Sequence, residues 1–266
     1  MLREIFTWLA TPCPPAARKL GYLQAAVGLE SRARRCRQAW AGHLEQCHRA
    51  ILQSLGHCTG QRTALILGSG LALEYPLEEL SARFRRVVLV DIVHLPAVRR
   101  RARRHANVEL LTCDLSGLTA ALLATRPPDI HAPLPAPSLA NIADVDWVVS
   151  CNLLSQLPLL PAAWLGRRHP QLNDIDIERW GRRIMAHHLD WLGSFAGERC
   201  LIADAEQTTR DRDGAVIEHA DIASAFGLNE HAYASWRWNI APQGELAAGM
   251  SADHRVVACR WPPSPR

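Results

Sequence analysis

A glycine pair and two carboxylates stand at the ends of apolar runs. Gly68-Ser69-Gly70 follows Ala64–Leu67, Asp91 closes Val87–Val90, and Asp114 follows Val108–Leu111 by way of Thr112-Cys113. Glycine in such a turn accepts unusual dihedrals and leaves no side chain between backbone and ligand. A carboxylate about 20 residues on, at the end of the next strand, can accept from both hydroxyls of a ribose. One strand later, the Asp114 carboxylate can accept from an adenine amino group, with Cys113 and Leu115 flanking the ring. Each feature alone has a plainer reading, as a strand–helix turn or a strand-end cap. Together they fall at the carboxyl ends of parallel strands, where open α/β sheets bind ligands. The dinucleotide fingerprint needs a third glycine near Leu73, and none is there.

The elements that must position these residues follow from periodicity. Residues 14–58 carry apolar side chains at helical spacing (Leu20, Leu23, Val27, then Trp40, Leu44, Ile51, Leu55), and Gly56 and Gly60 end the region. From Thr63 the chain alternates strand and helix, the signature of a parallel sheet covered on both faces. After the three strands above, a Pro-rich stretch from Arg126 to Pro137 reads as a loop, with Pro76 expected in the first turn of the helix after strand one. Strand four is Val145–Ser150, an amphipathic helix covers Ile177–Phe195, and strand five is Arg199–Ala203. Trp236–Ile240 and Arg255–Trp261 read as an antiparallel pair at the sheet end, with the rings of Trp236 and Trp238 on one face. The expected fold is a doubly wound, mostly parallel seven-stranded sheet with an antiparallel terminal strand, residues 61–266, behind a helical cap of residues 1–60.

Composition narrows the class. Apolar residues are 48% of 266, enough for a sizeable core, and the formal net charge is +4. Lys19 is the only lysine among 30 basic residues, which with the abundant alanine reads as GC-rich, bacterial coding. The eight cysteines form no CxxC pair and read as core thiols of a reducing cytoplasm. The start, MLREIFTWLATPCPP, is too interrupted for a signal peptide, and no run approaches the about 20 apolar residues of a membrane span. The basic run Val98–Arg104 reads as a solvated helix face, with nucleic acid a less favoured partner. Cys36, Cys47 and Cys58, near His48 and His57, read as a core stripe, and no metal site is expected.

From Thr63 to Trp261 the pattern resembles the class I S-adenosylmethionine-dependent methyltransferases. The resemblance implies that Gly68, Ser69 and Gly70 face the methionine part of the cofactor. It implies Asp91 with Ile92 at the ribose, and Asp114 with Leu115 at the adenine. The terminal strand pair matches that family's antiparallel last strand. Two departures stand out: the first loop reads GSGLAL rather than GxGxG, and SCNLLSQLP after strand four lacks the Asn-Pro-Pro-aromatic motif of enzymes that methylate base or amide nitrogens.

Methyl transfer from a sulfonium is a direct displacement, so alignment and exclusion of water matter most, and a base is needed only for a protonated nucleophile. The resemblance puts the loop after strand four near the transferable methyl, which makes Asn152 (also a cofactor contact), Ser155 and Gln156 candidates. His187 and His188 are candidate bases, and Asp204 and Glu206 follow strand five at the ligand-facing edge. Trp236, Trp238 and Glu245 are sheet packing or the wall of an aromatic or cationic substrate site. The implied activity is methyl transfer to a small-molecule acceptor. Transfer of the cofactor's aminocarboxypropyl arm, as in enzymes resembling nicotianamine synthase, and a non-catalytic scaffold on the same fold are the alternatives.

Overall fold

The computed structural model describes residues 2–124, 128–139 and 142–262. Four helices lead: α1 (Leu2–Ala10), α2 (Pro15–Leu20), α3 (Tyr22–Arg35) and α4 (Arg37–Leu55). The helical region is thus not continuous. Gly21, at φ 93°, closes α2, and Cys36 separates α3 from α4.

The core runs β1 (Thr63–Leu67), α5 (Leu77–Arg83), β2 (Arg86–Asp91), α6 (Pro96–Ala102), β3 (Val108–Thr112), α7 (Thr119–Leu123) and β4 (Val145–Cys151). It continues through α8 (Leu159–Arg168), α9 (Asp174–Gly193), β5 (Glu198–Arg210), β6 (Val216–Asp221), α10 (Ile222–Phe226), α11 (Leu228–His231), β7 (Ala232–Ala241) and β8 (Ser251–Arg260). The strand order is β3-β2-β1-β4-β5-β8-β7, with β6 paired to β5. Strands β1 to β5 are parallel, and β8 lies antiparallel between β5 and β7. This is the expected architecture with one addition. Strand β5 runs on to Arg210 and turns at Gly214 into β6, so the sheet has eight strands. Polar residues such as Gln207, Thr208 and Thr209 hide that extension, because this part of the strand is half-exposed and has no apolar run. Pro76 precedes α5 as its cap rather than lying in its first turn, and helix begins at Leu77.

β1 is buried at every position, which is why it reads as TALIL. Alternate residues serve two cores. Ala64, Ile66, Leu89, Trp147, Val149 and Ile202 pack with Trp40, Cys47, Ile51 and Leu55 of α4 and with α5. Leu65, Leu67, Val88, Val148 and Leu201 pack with Trp180, Ile184, Leu189 and Leu192 of α9. The leading helices therefore share the core of the sheet. Hydrogen bonds that fasten α4 to it include Trp40 Nε1 to the Ile240 carbonyl (3.0 Å), Tyr233 to the Ala50 carbonyl (2.8 Å), and Trp147 Nε1 to Ser54 Oγ (3.0 Å). Among the described residues no helix is long and apolar enough to cross a membrane.

Candidate functional site

The carboxyl ends of β1, β2, β3 and β4 open into a cavity of about 590 Å³. Tyr22, Ala26, Leu29 and Arg32 of α3 and Trp40 and Leu44 of α4 cover it.

Its floor is the turn after β1. Gly68 and Gly70 hold φ of 73° and 47°, in the left-handed region that glycine adopts freely. A Cβ on Gly68 would lie 3.0 Å from Leu153 Cβ and 3.3 Å from the Cys151 carbonyl, so this position excludes a side chain sterically as well. The backbone N–H groups of Gly68 and Ser69 both donate to the Val90 carbonyl at 3.0 Å. Gly70 N–H donates to Asp91 Oδ2 (2.7 Å), while Ile92 and Val93 N–H donate to Oδ1 (2.8 and 3.4 Å). Asp91 thus ties the glycine turn to the end of β2 and keeps some acceptor capacity for a ligand. Burial pushes its pKa up, against the N–H of Gly70, the neighbouring His94 and the other N–H donors.

Asp114 lines the cavity and, like Asp91, accepts three hydrogen bonds and keeps some acceptor capacity. Oδ1 accepts from Ser116 N–H (2.9 Å) and Oγ (2.6 Å), and Oδ2 from Thr119 N–H (2.8 Å) at the start of α7. It shapes the wall carrying Leu115 and Ser116.

Behind the cavity wall at Glu74 and Asn152 lies a polar cluster that sequence reasoning missed. Glu74, still on the turn after β1, accepts at Oε1 from Asn152 Nδ2 (2.6 Å) and lies 3.1 Å from His43 Nε2. His43, on α4, stacks on Trp238 with ring centroids 3.8 Å apart and receives the Trp236 indole N–H at Nδ1 (3.1 Å). Cys47 Sγ is 3.5 Å from His43 Nε2, and burial pushes its thiol far up. The sequence signal was the acid beside the glycine turn; His43 looks like any helix histidine until α4 docks on β7.

His43, Cys47 and Glu74 have ligand atoms close enough to share a metal ion. The tautomer of His43 argues against one. Indole N–H is a donor only, so Nδ1 is the lone-pair nitrogen and Nε2 of the neutral ring carries the proton. That proton points at Glu74, leaving Nε2 no lone pair for a metal.

Of the sequence-derived candidates, Gly68, Gly70, Asp91, Ile92, Asp114, Leu115, Asn152 and Gln156 line the cavity. Gln156 also donates to the Asn152 carbonyl (2.7 Å), bracing a residue held at φ 46°. Ser69 lies behind the turn, its side chain buried. Five candidates, Asp204, Glu206, Ser155, His187 and His188, lie outside the cavity lining, with Ser155 and His188 buried, the latter against Ser150. Asp204 is buried between Ser155 Oγ (2.7 Å), Gln207 Nε2 (3.0 Å) and His254. Burial raises its pKa, but His254 and the two bonds outweigh this, and its carboxyl lies below the usual range. His187, on α9, faces the Pro135 carbonyl (3.2 Å). Glu206 pairs with Arg255 (2.7 Å). Their positions follow from a twisted, extended β5 and from α9 covering the other face of the sheet. Glu245 bridges to Arg32 and Arg35, which both line the cavity. Within the basic run, Arg101 pairs with Glu78 and Arg99 donates to the His94 carbonyl, so two of its charges serve the fold.

No protein-family model matches the chain, and neither does any curated protein sequence. Solved structures do match. They include a 1,6-didemethyltoxoflavin-N1-methyltransferase of Burkholderia thailandensis with bound 1,6-didemethyltoxoflavin and S-adenosylhomocysteine (15% identity, 94% of this chain and 92% of that one, TM-score 0.44). A precorrin-8w decarboxylase of Methanobacterium thermoautotrophicum (16%, 79% and 88%, TM-score 0.33) and a DhpI–SAM–HEP complex (12%, 92% and 99%, TM-score 0.36) also match. These likenesses are distant. The strand order itself, with antiparallel β8 between β5 and β7, gives the chain the α/β architecture of the methyltransferase fold its sequence resembles.

Proposed function

We propose that the crevice binds S-adenosylmethionine and that the chain transfers its methyl group to a small-molecule acceptor. The observation that carries this reading is the bond between Gly70 N–H and Asp91 Oδ2, 2.7 Å, at the mouth of the parallel strands. It joins a side-chain-free turn to a preorganised carboxylate, the pairing that an adenosine ribose requires. The cavity, about 590 Å³, falls within the about 300–1,000 Å³ of small-molecule sites. Solved neighbours named as methyltransferases with bound cofactor accord with this reading.

Bound there, the cofactor would supply an electrophilic methyl on a sulfonium. The residues of this chain would do the rest. Asp91 and Ile92 would hold the ribose, Leu115 would flank the adenine, and the turn of Gly68 and Gly70 would admit the amino-acid end. Asn152 and Gln156 would position the acceptor, and α3 and α4 would keep water out, which favours a displacement needing alignment more than acid–base help.

Calorimetric titration with S-adenosylhomocysteine tests the reading, with saturable one-to-one binding expected; no binding of either this product or S-adenosylmethionine overturns it. Product analysis then separates methyl transfer, which releases S-adenosylhomocysteine, from aminocarboxypropyl transfer, which releases methylthioadenosine.

A further inference from the structure

Glu74 and Asn152 line the cavity side by side, and each carries an oxygen with no donor. Glu74 Oε1 is occupied by Asn152 Nδ2 and His43 Nε2, while Oε2 has no partner among the described residues. Asn152 is 3% exposed, and its Oδ1 is buried without a hydrogen bond. The amide cannot simply be turned over, because that would set Oδ1 against Glu74 Oε1 at 2.6 Å. A buried carbonyl left unbonded carries a desolvation cost that is recovered when a donor arrives. The pair also holds its geometry before any ligand comes: Gln156 braces the backbone of Asn152, and Trp236 and Trp238 clamp His43 behind Glu74.

A carboxylate oxygen and an amide carbonyl with no donor between them repel anions and suit a cation with several N–H groups. A metal ion is disfavoured by the His43 tautomer. A primary ammonium has three N–H donors in a compact group, enough to serve an acceptor on each of the two residues. We infer that Glu74 and Asn152 form a seat for a primary ammonium group. The identity of its bearer rests on the cofactor reading above. The ammonium belongs either to the amino-acid end of S-adenosylmethionine, since Glu74 lies on the same turn as Gly70, or to an amine acceptor.

Two ligands separate these sources. S-adenosylhomocysteine carries the ammonium, and 5′-methylthioadenosine shares its adenosine but lacks the amino-acid end. Both are titrated calorimetrically into the wild-type protein and Glu74→Gln, with Glu74→Asp as a rescue and thermal melting as the check on folding. A loss of about tenfold or more for S-adenosylhomocysteine with methylthioadenosine unchanged assigns the seat to the cofactor. If E74Q changes neither, benzylammonium is titrated into S-adenosylhomocysteine-loaded protein by saturation-transfer NMR. Saturable binding lost in E74Q then assigns the seat to the acceptor, and no binding overturns the inference. Equal loss of both nucleosides also overturns it, because Glu74 would then be only a prop of the turn. If wild-type protein binds neither nucleoside, the cofactor reading fails, and the benzylammonium titration on unloaded protein decides the ammonium seat by itself.

Discussion

Trp236 donates its indole N–H to Nδ1 of His43 at 3.1 Å, and this one bond puts the ring proton on Nε2. The consequence reaches the cavity wall. The proton on Nε2 lies against Glu74 Oε1, 3.1 Å away, and turns a three-residue cluster of metal-ligating types into a hydrogen-bonded carboxylate. Nitrogen-detected NMR of labelled protein is expected to show Nδ1 of His43 unprotonated and Nε2 protonated. In Trp236→Phe the two tautomers are expected to mix. Stoichiometric zinc in wild-type protein, removed by His43→Gln, would contradict the assignment.

Asp91 holds three backbone N–H groups with two oxygens. Asp91→Asn replaces one of those acceptors by a donor that faces another donor. A loss of about 1–3 kcal/mol of stability is expected, read as a lower urea midpoint with unchanged slope. S-adenosylhomocysteine and methylthioadenosine are expected to weaken together, because the loss falls on the ribose they share. A variant of wild-type stability that binds both normally would remove Asp91 from the site.

The docking of α4 depends on Trp238. It stacks on His43 and meets Trp40 edge-on at 5.1 Å. Trp238→Ala is expected to cost about 3–5 kcal/mol as a buried large-to-small change. Hydrogen exchange is expected to rise first in α4, whose contact with β7 is cut, and least in β1 and β2. Uniform acceleration across the sheet would contradict a local role.

A pH effect follows from His188. Its Nε2 lies 2.8 Å from Ser150 Oγ in the core, and burial, with a smaller effect from His187, pushes its pKa down from 6.5 to about 3. The unfolded chain binds this proton more readily than the folded one. The stability that neutral His188 supports is therefore complete above about pH 6.5 and is lost as pH falls toward 3, by up to about 1.4 kcal/mol per unit. His188→Gln keeps a partner for Ser150 and does not titrate. Its stability is expected to fall less steeply between pH 6 and pH 4 than that of the wild type; identical slopes in urea unfolding would assign the acid sensitivity elsewhere.

The parallel strands and the Gly68–Asp91 half of the site were legible because a buried strand and a glycine turn are written locally. TALIL and RVVLV can be little else, and an acid closing the second run has few other reasons to be there. The second half of the site was not legible because it is tertiary. His43 and Glu74 are 31 residues apart, and Trp236 reaches His43 across 193. No periodicity encodes that meeting, which forms only when α4 lies over β7. The extension of β5 into β6 escaped for a different reason. A half-exposed antiparallel ribbon such as EQTTR has no apolar alternation, and its pairing, rather than its composition, makes it a strand. Asp204 and His187 carried suitable chemistry at suitable places in the chain, yet Asp204 is buried on an interior strand against Ser155, Gln207 and His254, and α9 carries His187 away from the cavity.

The central claim is that the cavity beyond β1, β2 and β3 is an S-adenosylmethionine site, and a crystal structure of the protein grown with S-adenosylhomocysteine tests it most directly. The expected density places the ribose hydroxyls on Asp91, the adenine against Leu115, and the amino-acid end over Gly68 and Gly70. Ligand bound at another surface, or an empty crevice at saturating ligand, would contradict the account.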